Sequence, residues 1–380
     1  MHNIELFPAL GFDLSALSDE KKLIVLFSRT DLDDDIRTQA ESILHPDKVD
    51  WDRFLELANV NQVTSLVYRS IQRFDGIPEK VLARLREWSA DIFAYNIRNF
   101  DAARRLSELF REEEMEIIFT KGLPYLIDIY EDMGLREMAD VDILVKPEDI
   151  RKVDMLLEGE GFAPFEEKEG LDDYRAQKLY FRGDGIHLDV HRGFVGRMLH
   201  NRVLGIDPEK AWENKRELRR DDVRIDTLDL THTLVYQCLH LSMQHSFSGI
   251  RWYVDINEFV RKYEKEIDWD RLVDAAGEYR IRKPVYYSLL FTKDMFDAPV
   301  PGRVMKELSG ATGRWDRWFF RRIKANATGV DYLAELAMFD NCLDAAKFIM
   351  LSFVFYPRRI LHFFGISGSI FKALLWKKKS

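Results

Sequence analysis

Apolar positions along the chain change period twice. From Leu17 to about Arg111 they recur every three or four residues, as in Phe54, Leu57 and Ala58 or Val81, Leu82 and Leu85. That is the spacing of helices that bury one face. Pro78, after Ile77, marks the start of one of them. The pattern then shortens. Glu116-Ile117-Ile118-Phe119-Thr120 is an apolar run of strand length, Leu123 to Tyr130 is helix-like, and Val141 to Val145 is a second strand. Pro147-Glu148-Asp149 opens a helix to about Glu160, which Gly161 closes. Gln177 to Arg182, the turn Gly183-Asp184-Gly185 and Ile186 to His191 read as a hairpin. From about Thr231 the helical period returns and persists. The prediction is an α+β protein, with a small mixed β-sheet core over residues 112–230 between helical domains at 1–111 and 231–380.

The helical parts contain a repeat. Asp50-Trp51-Asp52-Arg53 recurs as Asp268-Trp269-Asp270-Arg271. At the same offset Ala58 matches Ala276, Val67-Tyr68 matches Val285-Tyr286, and Ser70 matches Ser288. Ile77-Pro78 and Val81 resemble Val300-Pro301 and Val304. One helical module, 50–81, is therefore expected again at 268–304, with Asp as N-cap and Trp as core anchor.

Composition narrows the function without naming it. The 380 residues carry a formal charge of -9, which argues against a protein that coats nucleic acid. The two cysteines, Cys238 and Cys342, form no CxxC and imply neither a disulfide framework nor a thiolate zinc site, as suits a reducing cytoplasm. Met1 to Glu5 lacks the basic start and apolar run of a signal peptide. Over residues 345–380, the run Phe348 to Tyr356 is too short to span a bilayer. Ile360 to Trp376, followed by Lys377-Lys378-Lys379, has two readings: a helix docked on the body, or a peripheral membrane or protein contact.

The chemistry concentrates in the middle. In Ala139-Asp140-Val141-Asp142-Ile143-Leu144-Val145, strand alternation sends Val141, Ile143 and Val145 one way and the two aspartates the other. Adjacent carboxylates repel unless a cation lies between them, and magnesium is commonly held by one or two carboxylates plus substrate phosphates. In Ile186-His187-Leu188-Asp189-Val190-His191 the polar face carries His187, Asp189 and His191. If the two strands are neighbours, Asp140, Asp142 and Asp189 form a three-carboxylate metal site able to clamp an in-line phosphoryl displacement. Lys121-Gly122, between a strand and a helix, joins a compact cation to a residue that lets backbone approach phosphate. Arg136 can steady a phosphate or its own loop. Farther on, His240 and Gln244 share a helix face with His245 beside it, and Arg251 and Asp255 are four apart. These form either a buried polar network or a cleft wall in which His240, His245 or Arg251 touches base, triphosphate or acceptor.

Taken together, Lys121-Gly122, Tyr130, Gly134-Leu135-Arg136, Asp140 to Val145, Leu156-Leu157, Gly161-Phe162 and Leu188-Asp189-Val190-His191 resemble the uncharacterised nucleotidyltransferase family of bacteria, within the DNA polymerase β-like superfamily. Ile267-Asp268-Trp269 and Arg251 to Ile256 extend the resemblance across most of the chain. It implies a mixed-sheet catalytic core, a nucleoside triphosphate, and magnesium (or manganese) on Asp140, Asp142 and Asp189. The superfamily's usual Gly-Ser is here Lys121-Gly122, so no serine hydroxyl meets phosphate at that turn. The acceptor of the nucleoside monophosphate is left open between a small molecule, a protein and an RNA end. Two other functions compete: a metalloenzyme using His187, Asp189 and His191 for zinc or iron, and a non-catalytic interaction protein on the same fold.

Overall fold

The architecture, seen in a computed structural model that describes residues 14–45, 48–165, 176–196, 198–206, 208–322 and 330–355, is a mixed sheet set among helices. Four short helices, α1 (Asp19–Phe27), α2 (Asp34–Ile43), α3 (Trp51–Val60) and α4 (Thr64–Ile71), lead into the long α5 (Glu79–Glu112). Pro78 precedes α5 with φ -59, already helical in that angle. The sheet strands are β1 (Ile118–Thr120), β2 (Val141–Leu144), β3 (Phe162–Pro164), β4 (Gln177–Arg182), β5 (His187–His191), β6 (Arg216–Arg220) and β7 (Val223–Thr227), in the order β3-β4-β5-β2-β1-β7-β6. β2 pairs parallel to β5 and β1 parallel to β7; the other neighbours are antiparallel, so the expected mixed sheet is present.

Alternation sorts the central strands between two interiors. Phe119, Val141, Ile143, Leu188 and Val190 join Ala102, Leu106 and Phe110 of α5, with Val153 and Leu157 of α7 (Ile150–Gly159). Gly161 at φ 80 ends that helix as expected. Ile118 and Leu144 turn to the opposite face and enter a second cluster. There they meet α10 (Leu230–Leu239), α11 (Ile250–Lys262), α12 (Trp269–Glu278) and α13 (Arg282–Phe296), through side chains such as Leu234, Tyr253 and Val285. The same cluster takes Phe27, Phe54 and Val67, so early and late helices share one apolar interior. Arg29 ties them further, donating to Phe296 O at 2.9 Å.

The repeated sequence makes repeated structure. Asp50 and Asp268 each accept from the backbone N–H three residues on, at 3.0 and 2.9 Å, capping α3 and α12. Trp51 and Trp269 are both buried. Gln62 and Arg280, at the same offset, turn the chain with φ 56 and 57 before α4 and α13.

One expected helix differs in form. Over Leu123 to Tyr130 a single α turn, α6 (Gly122–Pro124), gives way to a π-helix, Tyr125–Ile129, closed by Tyr130 N donating to Tyr125 O at 2.9 Å. A second π-helix, His240–Gln244, follows α10. Each wide turn shifts the residues after it around the helix axis, and the second carries His240 and Gln244, which line the site described below.

At the C-terminal end, α17 (Cys342–Phe355) exposes Leu343, Met350 and Phe353. No helix among the described residues is long and apolar enough to cross a membrane. The apolar run Ile360 to Trp376 and its lysines lie outside the described residues.

Candidate functional site

Pairing of β2 with β5 sets Asp142 directly beside Asp189, both projecting from the face opposite the α5 core. Two positions along β5, His191 shares that face. The ligand atoms of Asp142, Asp189 and His191 all lie within 4.8 Å of one another, and all three residues are buried. His191 Nε2 stands 3.0 Å from Asp142 Oδ1 and 3.1 Å from Asp189 Oδ2. Asp189 Oδ1 is buried without a hydrogen-bond partner, an uncompensated acceptor of the kind a bound cation satisfies. Two carboxylates and an imidazole so close together can hold a divalent metal ion. Asp140, the third expected ligand, lines the same cavity but stands outside this compact group. His187 is exposed and lies outside it too, so the three-residue set expected for zinc or iron on β5 is not assembled.

Lys121 closes the group. It leaves β1 at φ 54, a left-handed conformation costly for a side-chain-bearing residue, and this turns its ammonium onto the sheet face. There it contacts Asp142 Oδ1 and lies 3.1 Å from His191 Nε2. Gly122 is required by close approach. A Cβ there would meet Arg136 Nη1 and Met138 Cγ at 2.8 Å.

The charges set one another's protonation. Burial alone would raise the Asp142 carboxyl, but Lys121 and His191 outweigh it and hold the carboxyl below the usual range. Burial opposes charge on His191 as well, yet Asp189 and Asp142 raise it to about 10. Asp140 has burial and Asp142 against it and is pushed up to about 7.

The opposite wall comes from the second π-helix and α11. Arg251 donates from Nη1 to Glu137 O at 3.0 Å, while its buried Nε has no partner. Burial and the nearby Arg136 lower its guanidinium to about 10. Its plane rests 4.1 Å from the Trp252 ring centroid. His245 stacks on Trp252 at 4.5 Å, and His240 meets the same ring edge-on at 4.3 Å. Burial and His245 hold His240 well below the ordinary histidine value, so it is neutral at physiological pH.

Arg136 is committed differently. Its Nε and Nη2 donate to Asp255 at 2.8 to 3.0 Å, and Tyr130 donates to the same carboxylate at 2.8 Å. Asp255 is thus held by Arg136 and Tyr130, not by the Arg251 four residues before it. The loop carrying Arg136 is pinned by Asn96 of α5, whose Nδ2 donates to Met133 O at 2.7 Å and Arg136 O at 2.8 Å. Tyr95 donates to Ala139 O at 2.9 Å, next to Asp140.

Eight of the residues singled out in the sequence, Lys121, Gly122, Arg136, Asp140, Asp142, Asp189, His240 and Arg251, line one cavity of about 300 Å³. Sequence reasoning passed over Trp252, Gln177 and Leu179, which line it too. It also passed over Asn96, whose only signal is a polar residue amid a helix. The arrangement is an anion-and-cation pocket: carboxylates with a lysine on the sheet, and an arginine without a carboxylate partner opposite.

The model of the uncharacterised nucleotidyltransferase family matches residues 47–297, well over half of the chain. No curated protein matches the chain significantly.

Proposed function

The chain belongs to the uncharacterised nucleotidyltransferase family, and on that premise we propose that it transfers a nucleoside monophosphate from a nucleoside triphosphate to a hydroxyl acceptor. The observation that carries this reading is the convergence of Asp140, Asp142 and Asp189 with Lys121 and Arg251 around one cavity. Asp142 and Asp189 would hold the magnesium or manganese ion, with Asp140 as a further donor, and the ion would offset charge on the phosphates. Lys121 and Arg251 bind phosphate oxygens, the first as a point charge and the second through its fork of donors. Gly122 leaves room for the phosphates to approach the turn. His240, neutral and buried, borders the nucleotide. Arg136 serves the site through its loop, because Asp255 already occupies its fork.

The acceptor oxygen forms a bond to the α-phosphorus as the bond to the bridging oxygen breaks, and pyrophosphate leaves. Asp189 takes the acceptor proton, a role supported by its place among the carboxylates that line the cavity. The acidic balance of the chain favours a small molecule or a protein side chain over an RNA end as acceptor.

The test is incubation of the full chain with each α-labelled nucleoside triphosphate, magnesium or manganese, and cell extract. Label transferred to a discrete product, and lost in Asp142→Asn and Asp189→Asn, is the expected result. Neither transfer nor triphosphate binding under any condition would replace the enzyme with the non-catalytic interaction protein.

A further inference from the structure

Lys121 stands where a bare cation would have to go. Its ammonium touches Asp142 and lies 3.1 Å from His191 Nε2, two of the three residues whose ligand atoms gather within 4.8 Å. The lysine side chain is itself buried, so water screens little of its charge. A divalent ion entering this group alone would face an ammonium a few ångströms away. Displacing that ammonium would strand it in a protein interior whose other nearby carboxylates face the same ion. Among the described residues the other carboxylates acting on it, Asp140 and Asp189, line the same cavity and face the ion, and Asp255 is held by Arg136 and Tyr130.

A triphosphate changes this balance. It brings several negative charges into a cavity lined by both Lys121 and Arg251, whose guanidinium has no carboxylate partner among the described residues. The ammonium can then move from Asp142 to phosphate oxygens while the ion takes the carboxylates. We infer that Lys121 is an internal counter-ion released by the triphosphate, so that the species this site binds is the divalent cation–nucleoside triphosphate complex and the free cation binds weakly. The inference rests on the reaction proposed above and specifies the form of its substrate. It makes cation and nucleotide binding mutually reinforcing by one common factor.

The experiment is a titration of the full chain with Mn2+, counting free ion by electron paramagnetic resonance. It is run alone and with ATP, CTP, GTP or UTP analogues carrying methylene in place of the α,β-bridging oxygen, corrected for Mn2+ held by the analogue in solution. Wild-type protein is expected to bind Mn2+ about tenfold or more tightly with a favoured analogue than without, a coupling of ordinary size for linked sites. Lys121→Met, which keeps the length and removes the charge, is expected to bind Mn2+ alone about tenfold more tightly than wild type; Lys121→Arg is expected to bind it as weakly as wild type. Equal Mn2+ affinity of wild-type protein with and without every analogue overturns the inference, while the proposed reaction stands. So does a Lys121→Met protein that binds Mn2+ no more tightly than wild type. The wild-type arm decides even if the variant fails to fold. Absence of both Mn2+ and analogue binding from every protein overturns the inference and the reaction together.

Discussion

Arg136 and Asp255 meet as a fork on a carboxylate, with Nε 2.9 Å from Oδ1 and Nη2 2.8 Å from Oδ2, and both side chains are sealed from solvent. The pair joins the loop before β2 to α11, and so connects the sheet face with the wall that bears Arg251. Removing one partner strands the other charge in the interior, the costly way to break a buried ion pair. Asp255→Asn is expected to destabilise the protein by about 3–5 kcal/mol in urea unfolding. Arg136→Lys, which keeps the charge but loses the fork, is expected to be destabilised as well and to bind nucleotide more weakly.

Gly122 is the tightest point of the turn. The 2.8 Å approaches of a Cβ to Arg136 Nη1 and Met138 Cγ cannot be relieved by Arg136 without disturbing its bonds to Asp255. Gly122→Ala is expected to cost about 1–3 kcal/mol by overpacking. Thermal unfolding measures that cost, and a weaker apparent nucleotide affinity should accompany it.

Arg251 lacks a carboxylate partner, and burial lowers its guanidinium to about 10, so its charge is unfavourable in the free protein. Arg251→Met is therefore expected to leave stability unchanged or raise it. The same change should weaken triphosphate binding about tenfold or more, the usual scale for losing a charge-assisted contact. A large loss of stability without loss of binding would contradict this assignment.

Asp140 supplies a pH test. Its carboxyl rises from an ordinary 3.8 to about 7 in the folded chain. A raised acid holds its proton better when folded, so its contribution is full below pH 3.8 and is lost as pH climbs towards 7. In metal-free buffer Asp140→Asn should match wild type near pH 4 and melt at a higher temperature at pH 8. A melting difference that does not change between those pH values would contradict it.

The two helix caps predict matching losses. Asp50→Ala and Asp268→Ala each remove one side-chain bond to the N–H three residues on, and each should cost about 1 kcal/mol in urea unfolding. The caps lie in separate modules and share no partner, so the double variant is expected to lose close to the sum.

Much of this protein was legible along the chain because local rules govern it. Period two in Asp140 to Val145 and in Ile186 to His191 set the acids on the face opposite the buried valines and isoleucines. Period three to four marked the helices, and the Asp-Trp repeat marked two capped helices that the structure builds alike. Tertiary structure decided the rest, because periodicity assigns a side chain to a face without naming its neighbour across space. Parallel pairing of β2 with β5 joined Asp142 to Asp189 and drew His191 into the group in which Asp140 had been expected. Packing of α5 made Asn96 a buried clamp instead of one more polar helix residue. Arg136 and Arg251 read alike as cations near acids, yet Asp255 reached only one of them, leaving the other open toward the cavity.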